Sequence, residues 1–132
     1  MTISLPKRLA VTAFGGLVLF GAVGVAPASA KAGDVRKVGT CTGRSTTTIK
    51  IGPRDGRLET EFEVDSNRNG QQWSVTMTQN GAIVASGTKT TVAPSGSFTV
   101  RRVLTNRAGT DTINAAAKNL ATGEWCVVSA SI

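Results

Sequence analysis

Between residues 57 and 65 the chain alternates without a break. Leu58, Thr60, Phe62 and Val64 fall on one side, and Glu59, Glu61, Glu63 and Asp65 on the other. A period of two describes a strand with one buried and one wet face, and a helix cannot satisfy it. The same period returns along most of the chain. Residues 72–79 turn Trp73, Val75 and Met77 inward, and residues 111–118 do the same with Ile113, Ala115 and Ala117. The final strand aligns Cys126, Val128, Ala130 and Ile132. In residues 97–104, Phe98, Val100 and Leu104 alternate, but Arg102 takes an inward slot, which requires a bulge or a side chain that snorkels out.

Turn signals divide these runs every eight to twelve residues. Residues 45–51 form a first strand, ended by Gly52-Pro53 and the Asp55-Gly56 turn. Asn80-Gly81 supplies two positive-φ positions for a tight hairpin, which pairs Gln79 with Ala82 and Met77 with Val84. Residues 88–92 read as a short edge strand, and Pro94-Ser95-Gly96 turns the chain into the next one. No window carries a helical stripe. Seven or eight short antiparallel strands, with a Trp on the third, predict an all-β, immunoglobulin-like β-sandwich over residues 41–132. A small closed β-barrel is the alternative. Residues 31–40 are small and polar and read as a flexible lead-in.

The segment before them has a different character. Lys7 and Arg8 precede an uncharged run over residues 9–25, which ends in Ala28-Ser29-Ala30. This is the pattern of a secretory signal peptide over residues 1–30, cleaved near Ala30. The mature chain is then extracellular, with no further apolar span to hold it in a membrane. Two of the fifteen basic residues and none of the eight acids lie in the leader, so the mature domain keeps a surplus of five positive charges. That surplus favours anionic surfaces as well as solubility. Cys41 and Cys126 lie near opposite ends of the domain. In an oxidising compartment they read as a disulfide that joins the N-terminal segment to the last strand. Cys41 is too far past the cleavage point for lipid attachment.

The absence of histidine removes the Ser-His-Asp and Cys-His constellations, and the presumed bridge leaves no thiol nucleophile. Alternate residues on a strand lie about 6.5–7 Å apart, so Glu59, Glu61 and Glu63 have the spacing of a glycosidase carboxylate pair. They occupy a solvent face with no apolar pocket beside them, and a solvated face is the simpler account. Asp65, Asn67 and Asn69 match the opening of a calcium loop closed by Gly70. Position twelve is Thr76 where a bidentate glutamate is needed, and Arg68 adds repulsion. A structural inter-strand loop without metal is therefore expected. Arg101, Arg102, Arg107 and Lys118 are candidates for a basic, anion-binding edge. Nucleic acid is not an expected partner, because Phe62, Trp73 and Phe98 belong to the core and leave no stacking platform. Trp125 alternates away from Cys126, beside the turn Thr122-Gly123-Glu124, where it can stack on a sugar or pack on the second face.

Several stretches carry a resemblance: Cys41-Thr42-Gly43; Asp55-Gly56-Arg57-Leu58-Glu59 running into Glu61-Phe62-Glu63-Val64-Asp65; Asn67-Arg68-Asn69-Gly70 with Trp73; residues 94–100; and Thr122-Gly123-Glu124. Together they resemble a group of small secreted actinobacterial proteins without assigned function. The resemblance implies an extracellular, Gram-positive setting and brings no activity or catalytic residue. The expected function is a secreted, non-catalytic binding or interaction module without cofactor. Its expected partner is an anionic cell-wall polymer or another extracellular protein. The alternative is a secreted hydrolase acting on glycan through a carboxylate pair.

Overall fold

The computed structural model describes residues 33–132, and the expected leader over residues 1–30 lies outside them. Among the described residues there are nine strands and no helix: β1 (Val35–Val38), β2 (Thr40–Cys41), β3 (Thr46–Arg54), β4 (Arg57–Asp65), β5 (Gln72–Gln79), β6 (Ala82–Thr90), β7 (Ser97–Thr105), β8 (Thr112–Asn119) and β9 (Trp125–Ser131). They form two antiparallel sheets, β1-β3-β4-β7 and β2-β9-β8-β5-β6. The sheets pack face to face as a sandwich and do not close into a barrel. No helix among the described residues is long and apolar enough to cross a membrane.

The inward slots predicted from alternation are the core. Leu58, Phe62, Trp73, Met77, Ile113 and Cys126 are fully buried between the sheets, and Ile49 of β3, whose face the sequence left unassigned, joins them. Phe98 joins the two layers, with its ring 6.4 Å edge-on from Phe62 and 6.3 Å from Trp73. Two hairpins set the registers. Asp55-Gly56 and Asn80-Gly81 all have positive φ, as a two-residue turn that matches strand twist requires. They pair Arg54 with Arg57 and Gln79 with Ala82.

The strand count exceeds the expected seven or eight because residues 31–40 are not a loose lead-in throughout. Val35–Val38 pairs with β3, and Val35 packs against the core. The chain then switches sheets at Gly39, and Thr40–Cys41 pairs with β9. A Cβ at Gly39 would collide with the Val127 carbonyl and crowd the side chains of Val128 and Thr47, so the crossing needs glycine.

Three local expectations are corrected. β3 continues through Gly52-Pro53 to Arg54. In the ladder set by a two-residue turn Arg54 and Arg57 form the hydrogen-bonded pair, which leaves the Pro53 nitrogen pointing away from β4. On that side β1 has no partner residue beyond the Val35–Ile51 pair. Met77 pairs with Ala85, not Val84, because a bulge between Met77 and Thr78 inserts one residue on the edge strand. Residues 88–90 belong to β6 itself, and Val92 makes only an isolated bridge to Ser97. For Arg102 the choice resolves the other way. The β4–β7 register runs without a shift, so the arginine keeps its inward slot and is nonetheless exposed.

Candidate functional site

At one end of the sandwich three connections converge: residues 42–45 between β2 and β3, residues 66–71 between β4 and β5, and residues 120–124 between β8 and β9. They enclose a polar cleft of about 620 Å³, lined among others by Arg44, Ser45, Asn67, Arg68, Gln71 and Glu124. Each wall is fixed by hydrogen bonds. The Glu124 carboxylate accepts from the Ser45 backbone N–H at 2.9 Å and from its hydroxyl at 2.8 Å. Gly43 lets that side chain lie close, since a Cβ there would meet Glu124 Oε1 at 2.7 Å. Asn119 Oδ1 accepts the backbone N–H groups of Ala121 and Thr122 and so shapes the β8–β9 turn. The disulfide between Cys41 and Cys126, directly opposite each other on β2 and β9 with Cα atoms 4.1 Å apart, ties two of the three walls together.

The β4–β5 loop is held from behind. Asp65 Oδ1 accepts the Asn67 N–H at 2.9 Å, an Asx turn that supports the positive φ of Asn67. The buried Thr91 hydroxyl donates to the Arg68 carbonyl and accepts from the Gln71 N–H, while Gly70 N–H and the Thr91 carbonyl pair at 2.8 Å. Gly96 lies so close to the Arg68 backbone that a Cβ would collide with its nitrogen. Arg68 is thereby presented from a fixed main chain. Unengaged hydrogen-bonding capacity also gathers at this end. Gln71 Oε1, Trp73 Nε1 and Asn119 Nδ2 are buried without a partner among the described residues.

The electrostatics of the cleft follow from these contacts. Both carboxylate oxygens of Glu124 are engaged by Ser45, whereas Arg44 and Arg68 are exposed and form no ion pair among the described residues. Two guanidinium groups therefore face solvent from a polar recess, which suits a carboxylate or phosphate.

The candidates named from sequence are dispersed. Arg101 and Arg102 are neighbours on β7 but point to opposite faces of their sheet. Arg107 sits in the β7–β8 connection, where its N–H donates to Asp111 at 3.0 Å. Lys118 stands on the outer face of the other sheet, across from Trp125. No common basic edge brings the four together. Of Asp65, Asn67 and Asn69 only Asn67 lines the cleft; Asp65 closes β4 and is engaged in the Asx turn. Among the described residues the tight ligand group is Cys41, Glu124 and Cys126, whose sulfurs are bonded to each other. Glu59, Glu61 and Glu63 share the outer face of the first sheet. Glu61 stands between Lys50 and Arg101 in register, 3.4 Å from the latter.

Arg44 was missed, and Arg68 was weighed only as a neighbour hostile to calcium. The available signal was the Asp55-Gly56 hairpin, which folds the second strand back along the first and so brings the connection before one, with Arg44, and after the other, with Arg68, to the same end. A second recess, about 470 Å³ around Ala116 on the outer face of the five-stranded sheet, has no ionisable lining residue and offers less to orient a ligand. Comparison with family models, with curated proteins and with solved structures finds no match for this chain.

Proposed function

We propose that the chain is a secreted, non-catalytic binding module of immunoglobulin-like fold, whose loop-end cleft takes an acidic glycan of the cell envelope. The carrying observation is the pair Arg44 and Arg68, without an ion-pair partner among the described residues, across a cleft whose one described acid, Glu124, is already held by Ser45. The immunoglobulin-like assignment draws support from connectivity. β3-β4-β7 and β9-β8-β5-β6 follow the A-B-E and G-F-C-C′ orders of that class, and Trp73 lies on the strand equivalent to C. In that class the loops at one end of the sandwich are the variable, ligand-reading ones.

Trp125 adds the apolar element that sugar recognition uses. It is 45% exposed and follows Glu124 directly in the chain. Secretion is supported by the leader and by a disulfide of the kind that persists outside the cytoplasm. The resemblance to small secreted actinobacterial proteins supplies a Gram-positive envelope as the setting. The rival hydrolase has weaker support, because its three glutamates lie on the outer sheet face and Glu61 is paired with Arg101.

Calorimetric titration of the mature protein with an acidic wall polysaccharide, across a salt series, tests the proposal. Affinity should fall as salt rises and should drop about tenfold or more in Arg44→Gln/Arg68→Gln, since each charge-assisted hydrogen bond contributes roughly 1.5–3 kcal/mol. No binding at low salt would refute it. Release of reducing ends, lost in Glu61→Gln, would establish the hydrolase instead.

A further inference from the structure

We propose that the open margin between β6 and β7 is a binding groove for a free medium-chain fatty acid, independent of the loop-end cleft. The two strands are the free edges of opposite sheets and face each other there, around a recess of about 210 Å³. Its floor is apolar: Val75, Ala85 and Val100 are buried at 3%, 7% and 2% exposure. Its rim is cationic. Lys89 lies on the core-facing side of β6, across from Trp73, and Arg102 holds the inward slot of β7, across from Thr60.

The bulge creates this arrangement. Uninterrupted alternation from Ala82 would turn Val84, Ser86 and Thr88 inward. The one-residue shift turns Ala85, Gly87 and Lys89 inward instead. Gly87 then contributes space, since a Cβ built on it meets no atom within 4 Å. A methyl and a bare backbone thus stand where an ordinary sandwich edge would fill the gap with a large apolar side chain.

Neither cation has an acidic partner among the described residues. Arg102 Nη1 donates to the Arg101 carbonyl at 2.8 Å, leaving its remaining N–H groups for a ligand. The hydroxyl of Thr60, which shares the inner face beside Arg102, is buried without a hydrogen-bond partner among the described residues. Two unpaired cations over an apolar floor are complementary to one molecule with an anionic head and an alkyl tail. The recess falls below the roughly 300–1,000 Å³ of ordinary small-molecule sites, which restricts the ligand to one alkyl chain of medium length. Inward-pointing charges also deter edge-to-edge pairing of strands, but that task needs no missing volume at Ala85 and Gly87.

The mature, disulfide-bonded protein is titrated with octanoate, octanol and acetate while backbone amide shifts are followed by NMR. Octanoate should produce saturable shifts at Gly87, Lys89 and Arg102, and octanol and acetate should bind at least about tenfold more weakly. Lys89→Gln and Arg102→Gln, both at exposed side chains and checked by thermal melts, should each weaken octanoate about tenfold. Arg44→Gln/Arg68→Gln should leave it unchanged, so this groove and the loop-end cleft fail or stand separately. Equal affinity for octanol, or octanoate binding indifferent to both glutamine variants, would overturn the proposal. So would absence of octanoate binding, whether the cations then serve only to prevent aggregation or act on phosphatidylglycerol vesicles.

Discussion

At the end of the sandwich away from the cleft, Asp111 is completely buried and accepts three hydrogen bonds. Oδ1 receives the side-chain amides of Gln79 at 3.0 Å and Asn80 at 2.9 Å, and Oδ2 receives the backbone N–H of Arg107 at 3.0 Å. The Asp111 backbone pairs with Ile132 in both directions, so one residue gathers a hairpin, a loop and the chain's last strand. Burial by itself would raise the carboxyl's pKa. The amide of Gln79, the N–H of Arg107, the amide of Asn80 and the Arg107 charge outweigh it and hold the pKa below the ordinary 3.8. A depressed carboxylate contributes stability that is present above its unfolded pKa and lost as pH falls through its folded one. Asp111→Asn should therefore be less stable by about 1–3 kcal/mol near neutral pH, because its amide nitrogen cannot accept from these donors. The deficit should shrink as pH drops through the acid limb. Urea midpoints measured from about pH 7 down to about pH 2 give the comparison, and a deficit constant with pH would contradict it.

Among the elements, β1 departs furthest from expectation. Its sequence, Val-Arg-Lys-Val, has too few residues to display a period, yet it pairs with β3 along its whole length. Asp34, just before it, grips Arg54 through two hydrogen bonds of 2.8 and 3.1 Å, and this contact raises the arginine's pKa further above its ordinary value. Beginning the chain at Gly39 removes that ion pair, the Val35 packing and four ladder positions. Such a truncation should lower stability by roughly 1–3 kcal/mol, or about 4–8 °C in Tm for each kcal/mol. A melting temperature equal to that of a chain begun at Lys31 would return residues 31–38 to the status of a passive lead-in. The bulge in β6 was equally hidden. Val84 and Ala85 are both apolar, and either satisfies alternation from the hairpin until the second sheet is in place.

At the scale of the whole molecule, the two sheets leave four free edges, β1, β7, β2 and β6. β2 has two residues, β6 is bulged and carries Lys89, β7 carries Arg101 and Arg102, and β1 carries Arg36 and Lys37, all features that discourage strand addition. The bridge spans 85 residues and holds the shortest edge strand to β9. In the chain-entropy model a loop of that length stabilises by about 4–5 kcal/mol, and removal of a native bridge from a small domain costs roughly 2–5. Cys41→Ala/Cys126→Ala should shift the urea midpoint accordingly. It should also weaken the proposed glycan binding, because residues 42–45 lose their covalent tie to the β8–β9 wall. Folded wild-type protein should show no free thiol. Unchanged stability on reduction would mean that hydrogen bonds such as Thr42 N–H to Trp125 O, 2.9 Å, suffice to hold β2.

Alternation and turn chemistry are local properties, and they were legible. Leu58 to Val64, Trp73 to Met77 and Cys126 to Ala130 occupy the inner faces that a period of two assigns, and both Asx-Gly turns close the hairpins they announce. The pairing of Cys41 with Cys126 was legible too, because two cysteines in one oxidised domain allow a single bridge. Other features depend on contact through space. β1 became visible only against β3, Gly39 only against Val127 and Thr47, and the Met77–Ala85 shift only with β7 facing it. The cleft belongs with them. Arg44 and Arg68 stand 24 positions apart in the chain, and no local pattern relates them. They line one recess because antiparallel order returns the ends of β2, β4 and β8 to the same end of the sandwich, where hydrogen bonds from Ser45 and Thr91 fix the loops between.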